Sequence, residues 1–125
     1  MSLLRGQRLE QLKMADVDIA MKRIRQAIKP SPILSMEPLN IYLKHAVYTK
    51  AESLQPSGSF KLRGAYNKIA SICEQQGGAN VITASSGNHA LGVSLSARWL
   101  GQRAVVVVPE TAPAIKKDMC RALGA

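Results

Sequence analysis

The order of apolar runs along the chain constrains its fold more than any other feature. Residues 60–75 place Leu62, Ala65, Tyr66, Ile69, Ile72 and Cys73 at helical spacing, and Gly77-Gly78 closes that stretch. NVITA at 80–84 reads as a strand, Ser85-Ser86-Gly87 as a turn, and residues 88–100 as a helix stopped by Gly101. AVVVV at 104–108 is apolar on both faces, the pattern of a strand buried on both sides. Pro109 breaks it, and Pro113 opens a last helix through Leu123-Gly124. With a further strand at 46–51, AVYTKA, strand–turn–helix repeats three times. That order predicts right-handed βαβ units, hence an α/β fold with a mostly parallel open sheet. Ligands of such sheets bind beyond the C-terminal strand ends, where the turns at 57–59 and 85–87 both fall.

The first third is less regular. Residues 1–14 show no period and read as a frayed terminus, without the apolar segment of a secretory leader. Asp16 reads as the N-cap of a helix with Val17, Ala20, Met21, Ile24 and Ile28 on one face. Pro30 stops that helix, and Pro32 holds Ser31 extended. Residues 35–44 form a weaker helix that tolerates Pro38 in its first turn. At the other end, the rhythm calls for another strand after the helix that reaches Ala125. Three strands also leave Val105–Val108 poorly covered, so the expectation is a piece of a larger protein, or a product that needs a partner.

Composition narrows the function. Hydrophobic residues at 46% and charged residues at 20% are globular values, and no apolar run reaches the ~18 residues of a membrane span. Cys73 and Cys120 are too few for a disulfide framework and read as core filler in a reduced, cytoplasmic protein. Seventeen Lys and Arg against eight Asp and Glu give a net charge of +9. Nucleic-acid binding fits this poorly, because aromatic content is only 4% and offers no stacking platform. A basic surface that suits anionic ligands fits better. His45 and His89 lack companions at ligand spacing, so no metal site is expected. Lys116-Lys117 reads as a solvated helix face.

Two segments can carry chemistry. In Ser57-Gly58-Ser59-Phe60-Lys61, the lysine falls in the first turn of a helix. The helix dipole disfavours positive charge there, and a partly dry amine ionises less readily and becomes a nucleophile. Ser57 and Ser59 could cap the helix and leave N–H groups for an anion; a capped helix with a solvated lysine is the simpler reading. In Ser85-Ser86-Gly87-Asn88-His89, hydroxyls, an amide and helix N-terminal N–H groups gather into a carboxylate or phosphate cradle, with Gly87 allowing close backbone approach. An ordinary strand-to-helix turn with serine caps uses the same residues. G-x-G-x-x-G, Walker A, G-x-S-x-G and S-x-x-K patterns are absent from the sequence.

The stretches LQPSGSFKLRGAYNK (54–68), TASSGNHALGVSLSARWLG (83–101) and VVVPETAPAIKKDMCRALGA (106–125) resemble the fold-type-II pyridoxal-phosphate enzymes, in particular threonine/serine dehydratases and serine racemases. ADVDIAMKRIRQAIKPSPIL (15–34) is similar to the family's lead-in helix and proline turn. The resemblance implies a tryptophan-synthase-β-like α/β fold, here apparently truncated. Residues 1–76 would belong to the larger domain with the Schiff-base lysine, and 77–125 would open the smaller domain with the substrate loop. It also implies that Lys61 bonds pyridoxal 5'-phosphate, that Phe60 flanks the ring, and that Asn88 hydrogen-bonds the ring hydroxyl. Ser85, Ser86, Gly87, Asn88 and His89 would hold the substrate carboxylate. Ser86 stands where serine racemases carry an acid/base on the face opposite the lysine.

The implied activity is a threonine/serine ammonia-lyase that gives a 2-oxo acid and ammonia; its complete form is expected to be a homo-oligomer, and these 125 residues are expected to be incomplete for catalysis. Serine racemase is the alternative within the class. A non-catalytic fragment that binds a full-length partner is the alternative outside it. Leu91 departs from the glutamine usual after Asn-His-Ala, and the family's glycine-rich phosphate loop has no counterpart in these residues.

Overall fold

The computed structural model describes residues 12–125; the expectation for residues 1–11 lies outside the described residues. Helix α1 spans Met14–Arg25. Asp16 is not its N-cap. It sits in the first turn and its carboxylate accepts a 2.8 Å hydrogen bond from the N–H of Lys13, the residue that does cap the helix. An acid three positions into a helix satisfies the entering backbone by reaching back, so the helix starts earlier than an Asp cap would allow. Of the expected apolar face, Ile24 and Ile28 are buried, whereas Val17 and Met21 stay exposed.

Strand β1 (Ile33–Ser35) leads into helix α2 (Glu37–Leu43), with Pro38 in its first turn, and strand β2 is Tyr48–Lys50. β1 and β2 pair antiparallel, Ile33 opposite Lys50 and Ser35 opposite Tyr48. The strand expected at 46–51 is therefore real, but it does not join a three-stranded parallel sheet. Its partner lies one short helix away in sequence, so the local ladder costs less loop closure than a crossover to the distant strands.

The remainder follows the expected rhythm. Helix α3 spans Lys61–Gln76, strand β3 Val81–Ala84, helix α4 Asn88–Trp99, strand β4 Ala104–Val107 and helix α5 Ala114–Ala122. β3 and β4 pair in parallel, from Val81 opposite Ala104 to Ala84 opposite Val107, with α4 as the crossover. The fold is α/β, and its parallel part is this one βαβ unit.

Helix α4 is the centre of the core: Ala90 through Ala97 are all buried. Leu95 packs in one cluster with Ile24, Ile28, Leu62, Tyr66 and Ala70 of α1, its trailing turn and α3. Val93 and Ala97 share a second cluster with Ala65, Ile69 and Ala104. Ala90 and Leu91 close a third with Cys120 of α5. Both α4 and α5 thus lie against the same side of the sheet, where Ala104 and Val106 point. The other side is open, contrary to the burial on both faces expected of AVVVV. Ile82 is 73% exposed, and Val105 and Val107 are 54% and 53%. Among the described residues, α4 and α5 lie on one side of this two-stranded sheet and no element covers the second face.

Candidate active site

The segment before α3 is shaped by a single 3-10 turn, Glu52–Leu54, and a tight bend at Gly58, where φ is +72°. A left-handed residue there favours glycine. The bend carries Ser57 and Ser59 inward, and both are buried. Neither caps α3. The Ser57 hydroxyl donates to the Ser59 carbonyl at 3.3 Å, and Phe60 takes the N-cap position without a side-chain bond. The Ser59 hydroxyl is buried and has no hydrogen-bond partner among the described residues.

The first residue of α3 is Lys61. Its side chain is exposed rather than partly dry, and its Nζ stands 5.0 Å from the centroid of the Phe60 ring, which is itself 59% exposed. Two residues on, Arg63 anchors the helix start. Its guanidinium donates twice to Glu52, each bond 2.8 Å, and Ser31 donates to the same carboxylate at 2.5 Å. The hydrogen bond from Arg63 chiefly, then that from Ser31, outweighs burial and holds the Glu52 carboxyl well below the ordinary 4.5, at about 2.

Helix packing sets the Lys61 backbone against α4, the helix that follows the 85–89 turn. A Cβ built on Gly92 would stand 3.2 Å from the carbonyl carbon and oxygen of Lys61 and 3.3 Å from the Leu62 nitrogen. Only a residue without a side chain lets α4 and the start of α3 approach this closely. Gly92 lies four residues after Asn88, about 6 Å along the helix axis at 1.5 Å per residue. The backbone that carries the amine is therefore one helical turn from the loop.

In the loop, the Gly87 N–H donates to the Ser85 hydroxyl at 3.3 Å, and Gly87 rather than a serine occupies the N-cap of α4. Gly87 is not packed against other backbone: a Cβ there would meet no atom within 4 Å. Ser86, Asn88 and His89 are exposed. The floor of the turn is open, and the first N–H groups of α4 have no partner within the helix.

Two contributors were not singled out from the sequence as site residues. Gly92 is visible there only as a small residue in a buried helix. Lys116, read as solvated, donates from Nζ to Asn88 Oδ1 at 3.2 Å. Leu91 is 1% exposed and packs with Ala90 and Cys120, so it fastens α4 to α5 through apolar contact where a polar residue had been expected. Among the described residues no group of His, Cys, Asp and Glu could hold a metal ion.

This arrangement, a lysine at a helix start beside an open strand-to-helix turn in a βαβ unit, defines a class of small-molecule site on an α/β scaffold. Residues 24–125 match the family described as pyridoxal-phosphate dependent enzyme. The chain belongs to that family. It is 45% identical over 102 residues to the biosynthetic L-threonine dehydratase of Haemophilus influenzae, covering 82% of this chain and 20% of that protein. A solved pyridoxal 5'-phosphate-dependent aspartate racemase superposes with a TM-score of 0.87 at 35% identity, over 92% of this chain and 36% of the other. The serine racemase of Dictyostelium discoideum gives 0.85 at 38% identity, over 91% and 38%. The chain thus spans about a fifth of the curated dehydratase it matches.

Proposed function

We propose that this chain carries the lysine and substrate-loop half of a pyridoxal-phosphate-dependent threonine/serine ammonia-lyase. The observation that supports the reading is the contact of Gly92 with the Lys61 main chain, which sets the residue bearing the amine against α4 one helical turn beyond Asn88.

The residues fit such a cofactor at its reactive end. Lys61 offers an exposed primary amine beside the Phe60 ring, and the open floor at Gly87 leaves room. Buried Ser59 has a hydroxyl still in need of a partner, and Asn88 has amide N–H groups to donate. When bound, pyridoxal phosphate supplies an electron sink for the charge left at the substrate Cα.

The chain's own residues do the rest. Lys61 would hold the cofactor through its aldehyde, and the same amine would serve as the base for the substrate Cα proton. The Ser85–His89 turn holds the substrate carboxylate with hydroxyls and helix N-terminal N–H groups, which orients Cα toward Lys61. The β-hydroxyl would leave as water, taking up one proton, and the free enamine would tautomerise to an imine that a second water hydrolyses to a 2-oxo acid and ammonia. Serine racemisation is the second reading. It rests on the exposed Ser86 hydroxyl in that loop, which could return the proton to the opposite face.

The same reading divides the chain at residues 76 and 77 into the start of a larger and of a smaller domain. It also sets the protein in the cytoplasm as a homo-oligomer; the free thiols of Cys73 and Cys120 support a reducing compartment. The test is to mix the protein with pyridoxal phosphate and L-threonine or L-serine and to assay 2-oxo acid and D-serine. A visible band and 2-oxo acid that both vanish in Lys61→Ala support the reading. A band indifferent to Lys61→Ala contradicts it.

A further inference from the structure

Helix α5 reaches the candidate site through Lys116, which meets Asn88. Cys120 is buried with Ala90 and Leu91 of α4, which fixes the face that α5 presents. Residue 116 lies one turn before 120 on that same face. From there the Lys116 Nζ donates to Asn88 Oδ1 at 3.2 Å, while its neighbour Lys117 donates to the Glu110 carbonyl at 3.0 Å. Lys116 is partly buried, so its stem is held against the protein.

An ammonium group has only donors, so it can face only the oxygen of a carboxamide. With Oδ1 engaged, the Asn88 amide is fixed with Nδ2 left for a ligand, and its two N–H groups can meet only an acceptor. The fixed positive charge beside it favours an acceptor that is anionic.

We propose that Lys116 is a positioning residue: it orients the Asn88 amide so that an N–H, not the carbonyl, faces an anionic oxygen of the bound cofactor. This deepens the reading above and rests on it for the identity of the ligand; the orientation itself does not.

The experiment has two arms on the same chain. In the first, the Asn88 side-chain NH2 signal is followed by NMR in the absence of cofactor, in wild type, Lys116→Met, Lys116→Arg and Lys117→Met. The expected result is an ordered amide in wild type and Lys117→Met, averaging in Lys116→Met, and recovery in Lys116→Arg. In the second arm, pyridoxal phosphate is titrated by absorbance. Lys116→Met should weaken binding about tenfold, the size of one lost charged hydrogen bond, with Lys116→Arg close to wild type. An Asn88 signal unchanged in Lys116→Met, or changed equally by Lys117→Met, overturns the proposal. A wild type without a Lys61-dependent band counts against the enzyme reading, while the NMR arm still decides the orientation. Thermal denaturation of each variant separates a lost contact from a lost fold.

Discussion

At position 92 two helices meet so closely that a methyl group would crowd the Lys61 main chain, and this contact sets where the Lys61 backbone sits. Gly92→Ala must push the Lys61 backbone by a few tenths of an ångström, because the obstructing atoms are main chain. Overpacking of this kind costs about 1–3 kcal/mol. Gly92→Ala should therefore lower the melting temperature and slow pyridoxal modification of Lys61 together, while Gly64→Ala, where a Cβ meets no atom within 4 Å, should do neither. Ser86 makes a different prediction. In a complete enzyme of the proposed kind, only inversion needs a proton donor on the face opposite the lysine, so there Ser86→Ala should depress racemisation at least tenfold more than elimination. Chiral analysis of serine beside a 2-oxo acid assay measures both; equal losses would remove Ser86 from that role. Lys61 and Asn88 stood out in the sequence because each opens a helix, and the structure starts α3 and α4 at those residues. Lys116 did not stand out, because its contact with Asn88 joins residues 28 positions apart through the packing of α5 on α4.

Among the elements, the start of α3 is held by Glu52 of the preceding turn. The carboxylate takes two hydrogen bonds from Arg63 and one from Ser31, with Lys50 at 3.8 Å. Because folding lowers this carboxyl from 4.5 to about 2, its contribution to stability is complete above pH 4.5 and is lost as pH falls through about 2. Glu52→Gln should destabilise the chain by about 1–3 kcal/mol near neutrality. The gap from wild type should narrow on acidification from 4.5 toward about 2, which a series of thermal melts would follow. A gap that widens in acid would contradict the assignment. Helices α3 and α4 were legible because sixteen and twelve residues of apolar spacing outweigh any single position. Strand β1 was not, since three exposed residues carry no alternation that separates them from a loop. Its ladder with β2 is set by chain proximity, which periodicity does not encode.

For the whole molecule, the α/β class was legible and the coverage of its sheet was not. AVVVV reads as a strand buried on both sides, yet one face of the β3–β4 pair, with Ile82, Val105 and Val107, is open. That pattern records what the run is suited to, whereas burial depends on which layers are present. Val105→Lys should therefore reduce binding of a hydrophobic dye and self-association while changing stability by less than about 0.5 kcal/mol, as expected at a surface position. A loss of several kcal/mol would mean that the face is packed in solution.

The central claim is that one amine, at residue 61, stands ready to condense with an aldehyde beside the 85–89 loop. Treatment with pyridoxal phosphate at limiting concentration, borohydride reduction and peptide mass mapping tests it directly. The account predicts a pyridoxyl group concentrated on Lys61, diminished in Gly92→Ala and absent from that peptide in Lys61→Ala. Label spread evenly over the surface lysines, with Lys61 no more reactive than Lys68 or Lys117, would contradict it.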